Sequence, residues 1–203
     1  MARLTQRFGL TRYEADEYYK KALEAYRKNQ LEEALVNMNE AIALLPNNPE
    51  YYAARGFFYL EDGVKEKART DFEQAIILYP YEMLAHYGRG IIAYGDKNWD
   101  EALAYFKDAH IANPNRPETL YYLALTYHRK GEHMQALPLM EQARANFEGA
   151  DDKRKADAAR WVRELERLAG QKVQAETLEP AFKPLIRRGQ MQLPLGEEEE
   201  KEE

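Results

Sequence analysis

The sequence predicts an all-α solenoid of paired helices, and three observations carry that prediction. Small residues recur at a fixed interval: Ala34, Ala68, Ala102 and Ala136 stand 34 apart, as do Ala41, Ala75, Ala109 and Ala143. Bulky apolar residues keep the same interval at Met38, Phe72, Phe106 and Met140, and Pro46, Pro80 and Pro114 keep it too. Between these markers the apolar spacing is helical. LEEALVNMNEAIALLP, for instance, puts Leu31, Ala34, Leu35, Met38, Ala41, Ile42 and Leu45 on one stripe.

Helices are expected over 12–28, 31–45, 49–61, 65–79, 83–95, 99–112, 117–129 and 133–147. Thr11 with Glu14 forms a capping box that would start the first. Gly56 and Gly90, replaced by Ala22 and Ala124 in the outer units, let the two helices of a pair approach closely, and the recurring alanines of the second helix do so from the other side. Prolines end the second helices. Pro138 is the exception, because it falls inside a second helix, where it predicts a kink or a late helix start. From Asp151 the segment DDKRKADAARWVRELERLAG opens with acids and closes on Gly170. It carries Ala158, Val162, Leu165 and Ala169 on one face, which reads as a helix capping the last apolar surface over 151–170.

These residues resemble the tetratricopeptide repeat, whose pattern is a large apolar residue, Leu-Gly, Tyr, Ala, Phe, Ala and Pro at fixed offsets. The second unit matches best, with Tyr52, Gly56, Tyr59, Ala68, Phe72, Ala75 and Pro80; the first departs at Lys21 and Ala25, and the fourth lacks the terminal proline. The resemblance implies a right-handed superhelical solenoid of four repeats, 15–48, 49–82, 83–116 and 117–150, after an N-terminal extension over 1–14. It also implies a concave groove lined by the first helix of each pair. The family's groove positions fall here on Tyr19, Leu23, Tyr26, Phe57, Leu60, Tyr87, Ile91, Tyr94, Tyr121, Tyr122, Leu125 and His128. An aromatic, apolar groove is suited to an apolar or aromatic peptide segment of another protein. The alternative use of such rings is packing between repeats. Chaperone-binding members grip a C-terminal carboxylate with Lys, Asn, Asn, Lys and Arg; the matching positions hold Tyr19, Leu23, Ala54, Leu84 and Gly88, so an EEVD-type tail is not the expected ligand.

Over 171–203 the periodicity fades into a flexible tail with Pro180, Pro184 and Pro194 and short apolar clusters. Leu178, Phe182, Leu185 and Ile186 are candidates for docking into this chain's own groove or into a neighbour's, the latter making a homo-oligomer. The chain ends in EEEEKEE, a solvated acidic run that accounts for most of the net charge of -6.

Composition removes most other function classes. Cysteine and serine are both absent, which excludes disulfides, thiolate chemistry and serine nucleophiles. The four histidines, His86, His110, His128 and His133, are scattered and read as surface residues rather than metal ligands. No phosphate-binding glycine motif occurs, so no cofactor is expected. A nearly neutral body with an acidic end disfavours nucleic acid, and charges interrupt every apolar run that could span a membrane. Arg3, Arg7 and Arg12 lack the apolar core of a secretory signal but leave a short organellar presequence open. The reading is therefore a non-catalytic cytoplasmic scaffold or adaptor. The alternative is a structural subunit whose groove is filled by its own tail or a fixed neighbour.

Overall fold

The computed structural model describes the backbone of residues 2–178 and the side chains of residues 11–171. The chain divides into two units, Met1–Ala169 and Gly170–Glu203; of the second, the described part is helical backbone through Leu178. The tail-docking candidates Phe182, Leu185 and Ile186 and the acidic run lie outside the described residues, as does the side chain of Leu178.

The described residues form nine helices and no strand: α1 (Ala2–Arg27), α2 (Leu31–Leu44), α3 (Pro49–Glu61), α4 (Lys65–Leu78), α5 (Met83–Gly95), α6 (Trp99–Ala112), α7 (Pro117–Arg129), α8 (His133–Gly149) and α9 (Lys155–Leu178). The first eight pack as consecutive pairs, α1 with α2 through α7 with α8. Each pair turns on one left-handed residue, and these residues are again 34 apart: Asn29 (φ 60°), Gly63 (78°), Lys97 (61°) and Gly131 (77°). Beside each, an amide reaches back across the helix end, Gln30 to Ala25 (2.9 Å), Val64 to Tyr59 (2.8 Å), Asn98 to Ala93 (2.9 Å) and Glu132 to Tyr127 (2.9 Å), so the terminal carbonyls are satisfied. The same device recurs after α8, where Asp151 has φ 50° and the Asp152 amide bonds to Phe147 at 2.8 Å. Entry into α3 is set by Pro49 in the first turn and by the Asn48 side chain, which accepts from the Glu50 amide at 3.1 Å.

The repeating alanines are fully buried, together with Met38, Phe72, Phe106 and Met140. Phe72 explains two glycines at once. A Cβ at Gly56 would lie 2.6 Å from its ring, and one at Gly88, on the next pair, 2.3 Å from it. Gly90 makes the same allowance for Phe106, at 2.6 Å. The glycines thus admit an aromatic ring face-on as well as a neighbouring helix. Neighbouring pairs are tied by arginines one interval apart. Arg55 bonds Asp71 of α4 through Nε and Nη2 at 2.7 Å each and Asn39 of α2 at 2.7 Å. Arg89, itself buried, reaches Glu73 of α4 (2.8 Å) and both Glu101 (2.9 Å) and Tyr105 (3.0 Å) of α6.

Four expectations need correction. The first helix starts at Ala2, so Thr11 lies within α1 rather than at its cap, and the extension over 1–14 is continuous with the first repeat's helix. Pro138 does not delay α8, which begins at His133. The proline sits exposed at its sixth position, and the carbonyl it leaves without a helical donor belongs to the exposed Met134. Gly170 does not end the capping helix: α9 runs on to Leu178, since one glycine costs a helix only about 1 kcal/mol and the flanking Ala, Gln, Lys and Glu are good formers. Finally, His86 is no surface residue. It is 7% exposed, with Nε2 2.8 Å from the Pro80 carbonyl oxygen.

Candidate functional site

Among the odd-numbered helices, α3 packs directly on α5 and α5 on α7, whereas no even-numbered pair comes into comparable contact. In the first unit α3, α5 and α7 therefore lie side by side, and the groove candidates from Phe57 to His128 sit on this row of odd-numbered helices. The unit's last apolar face is covered by the start of α9, where Ala158, Val162 and Leu165 are buried against Leu120, Met140 and Phe147.

The groove candidates lie on these odd-numbered helices and differ in burial. Tyr87 (9% exposed) and Leu125 (7%) belong to the core, where they join the packing between repeats. Tyr19, Leu23, Tyr26, Phe57, Leu60, Ile91, Tyr94, Tyr121, Tyr122 and His128 are half-buried. The structure brings several of them into one run of rings. Phe57 meets Tyr87 (centroids 6.1 Å apart), Tyr87 meets Tyr122 (6.0 Å), and Tyr122 meets both Tyr94 (5.7 Å) and Tyr121 (5.7 Å). Tyr121 then meets Phe147 of α8 at 6.3 Å. Tyr19 and Tyr26 stand apart from this run, paired with Tyr51 (5.0 Å) and Phe58 (4.7 Å). His128 packs on Trp161 and on His133, both at 5.1 Å, and burial followed by the His133 charge lowers its pKa.

The rim of this surface is polar. At the α1–α3 end the Tyr19 hydroxyl donates to Glu50 (2.7 Å) and the Tyr51 hydroxyl to Asp16 (2.9 Å); burial and that acidic neighbour push Tyr51 up to about 12. Glu82, half-buried before α5, has its pKa raised by burial and by the charge of Glu50. At the α7 end Arg116 and Arg154 both pair with Glu118, at 3.1 and 2.7 Å. Burial works to raise the Glu118 pKa, but its backbone hydrogen bond and the two guanidinium groups outweigh it, so the net shift is downward. Arg116 also lies over the Tyr87 ring and Arg154 over Phe147, each 4.6 Å from the centroid. The Tyr121 hydroxyl donates to Asp157. A cavity of about 190 Å³ opens here, lined by Tyr87, Glu118, Tyr121, Tyr122, Phe147, Arg154 and Asp157. Shallower depressions of about 330 Å³ between Arg55 and Lys67 and about 400 Å³ around Pro46–Pro49 lack such a set of rings.

Matches to known proteins follow this geometry. Tetratricopeptide repeat models match residues 59–117 and 99–151, and a TPR repeat model matches 22–63. The chain belongs to the tetratricopeptide repeat family. Proteins built from this repeat generally mediate protein–protein interactions. Photosystem I assembly protein Ycf3 of Rippkaea orientalis is 28% identical over 120 residues, 54% of this chain and 68% of that one. Hsp70-Hsp90 organizing protein 1 of Glycine max is 27% identical over 106 residues, 52% of this chain but only 18% of that relative's length. Among solved structures, pilF of Pseudomonas aeruginosa superposes with a TM-score of 0.69 at 17% identity, covering 85% of this chain and 76% of that one; at this identity the likeness is one of fold.

Within the tetratricopeptide register the rim residues had a signal that the apolar markers concealed. Asp16, Glu50 and Glu118 occupy one column at the repeat interval, with Leu84 as the exception. Arg154 and Asp157 had no such signal: one interval earlier stand Leu120 and Leu123, both buried and apolar.

Proposed function

We propose that this tetratricopeptide protein is a non-catalytic scaffold that holds an apolar or aromatic segment of a partner protein against its odd-numbered helices, within four repeats at 15–48, 49–82, 83–116 and 117–150. The observation that carries the reading is the cavity of about 190 Å³ at the end of the ring run. It is smaller than the roughly 300–1,000 Å³ of small-molecule sites and suits a single large side chain anchored among aromatic rings. Half-buried tyrosines fit such a role, offering apolar area on few rotatable bonds with a hydroxyl left for hydrogen bonding.

An acidic EEVD-type tail remains outside this reading, notwithstanding the likeness to an Hsp70-Hsp90 organizing protein over half the chain. The positions that would form its clamp hold Tyr19, Leu23, Ala54, Leu84 and Gly88. At Gly88 no side chain can be added without displacing the buried Phe72 ring, 2.3 Å from the Cβ position. Among the described residues no helix is long and apolar enough to cross a membrane.

The test is capture of peptides from a displayed random library by the full chain, followed by mass measurement of the chain alone. Binders whose affinity drops with Tyr121→Ala support the reading. A chain that selects no peptide, or whose binders ignore changes on α5 and α7, refutes it; a stable oligomer with the groove inaccessible would favour the structural-subunit alternative.

A further inference from the structure

We infer that the segment held in the groove carries a basic side chain about five or six residues from its apolar anchor, so that the anchor enters the α7 cavity while the cation meets the carboxylates near α3. The inference rests on the groove reading above and adds to it the charge and polarity of the occupant.

The two ends of the surface differ in how their acids are matched. At the α7 end every carboxylate already has a cation: Glu118 has Arg116 and Arg154, and Asp157 has Arg160 at 2.6 Å. Two of the four rings lining the cavity are covered by cations as well, Arg116 over Tyr87 and Arg154 over Phe147, which leaves Tyr121 and Tyr122. That end is electrostatically complete, and what it leaves open is apolar volume. At the other end Asp16, Glu50 and Glu82 form no ion pair with a Lys or Arg among the described residues, and Asp16 and Glu50 instead accept tyrosine hydroxyls. Tyr19, Tyr51 and Glu82 each show the same consequence, a proton held more tightly because burial and nearby negative charge oppose ionisation. A surface with one balanced and one unbalanced end is complementary to a ligand with an apolar end and a cationic one.

The spacing follows from the helices. Glu50 begins α3, and the cavity opens between α7 and the start of α9, with Tyr87 of α5 and Phe147 of α8 on its wall; α3 packs on α5 and α5 on α7. Two interaxial steps of about 8–10 Å separate the ends by about 16–20 Å, which an extended segment crosses in about five or six residues at roughly 3.3 Å each. An acidic segment would place like charges beside Glu50 and Glu82, so its exclusion is a consequence of the same arrangement.

The experiment pans a random twelve-residue displayed library on the full chain and, in parallel, on the Glu50→Gln/Glu82→Gln double variant, whose folding is checked by its melting curve. The expected result is enrichment of an aromatic or large aliphatic residue with Lys or Arg five or six positions away. A synthetic copy of the selected sequence should lose about tenfold in affinity against the double variant or when its basic residue is changed to Gln. A benzophenone at its anchor position should crosslink to α7 or to the other cavity walls, Tyr87, Phe147 and the start of α9. Selected peptides that crosslink there but show no basic preference, or no loss against the double variant, overturn this inference and leave the groove reading standing. Peptides that crosslink elsewhere, or no selected peptide at all, overturn both.

Discussion

Replacing Gly88 by Ala tests the packing that places the groove. Gly88 lies inside α5, where alanine is the better helix former by about 1 kcal/mol. Local propensity alone therefore expects stabilisation. The structure expects the opposite, because the new Cβ would stand 2.3, 2.5 and 2.6 Å from Cζ, Cε2 and Cε1 of Phe72. Ordinary carbon contacts are about 3.5–4.0 Å, so the ring or the helix must retreat by roughly 1 Å. Phe72 is fully buried, and a Cβ built at Gly56 would also lie within 2.6 Å of it, so the ring has little room to withdraw. Overpacking of this kind costs about 1–3 kcal/mol, and the confinement of the ring puts it near the upper end.

Less the propensity gain, Gly88→Ala should destabilise by about 2 kcal/mol, lowering Tm by about 4–8 °C in a chain of this size. Gly170→Ala is the matched control. It lies inside α9 with nothing within 4 Å of the added Cβ, and should gain about 0.5–1 kcal/mol. Denaturant and thermal unfolding of both variants read the contrast. If Gly88→Ala proves as stable as the parent while Gly170→Ala behaves as expected, Phe72 does not lock α5 to the preceding pair, and the placement of Tyr87 and Ile91 on the inner surface loses its basis.

Other perturbations separate the remaining interactions. Lys97→Gly should stabilise by about 1 kcal/mol, because Lys97 holds the left-handed turn (φ 61°) that Gly63 and Gly131 occupy without a Cβ penalty; unfolding midpoints will show it. Arg55→Ala should cost about 3 kcal/mol, more than Arg89→Ala, since it strands the buried Asp71, whereas the Arg89 partners Glu73 and Glu101 reach solvent. Glu82→Gln should raise Tm at pH 7: with a folded pKa above the ordinary carboxylate value, the ionised form costs stability, and that difference should vanish below about pH 4 where the acid is protonated in both states. Glu118 has the opposite sign. Its pairing with Arg116 and Arg154 stabilises above the ordinary carboxylate range and is lost as pH falls through the lowered folded value, together with the Asp152–Arg154 link whose carboxyl is held at about 2. Fluorescence of Trp161, on the face of α9 packed beside α7, should report that loss between about pH 4 and 2.

The fold was legible because one interval fixes many positions at once. Ala34, Ala68, Ala102 and Ala136 could share a spacing only if each met the same neighbour, and each is fully buried. What escaped the sequence reading depends on contacts between units. Gly88 carries no mark in its own helix; its partner is Phe72, sixteen residues earlier and on the preceding pair. His86 looked like a surface residue until the Pro80 carbonyl supplied an acceptor for its ring nitrogen. The ends of α1 and α9 depart from the capping box at Thr11 and the glycine at Gly170 because both are local signals; after Gly170 the Gln, Lys, Ala and Glu residues are helix formers good enough to carry α9 on.

The candidate site was legible only in part, for a related reason. Groove positions identify which side chains leave the odd-numbered helices on the inner side, but not how far the next repeat covers them. Tyr87 and Tyr121 hold the same place in successive units, yet one is 9% exposed and the other half-buried. Arg116 lies over the Tyr87 ring, whereas the unit that would follow Tyr121 is replaced by α9, which offers Asp157 and leaves an opening. A cavity therefore forms where the repeat stops. Adding bulk at the first turn of α9, by Asp157→Phe, should fill the opening and abolish capture of apolar-anchored peptides while changing the unfolding free energy by no more than about 1 kcal/mol, since the site is half-exposed. Retained capture would place the anchor elsewhere on the inner surface and remove the end of the array from the binding function.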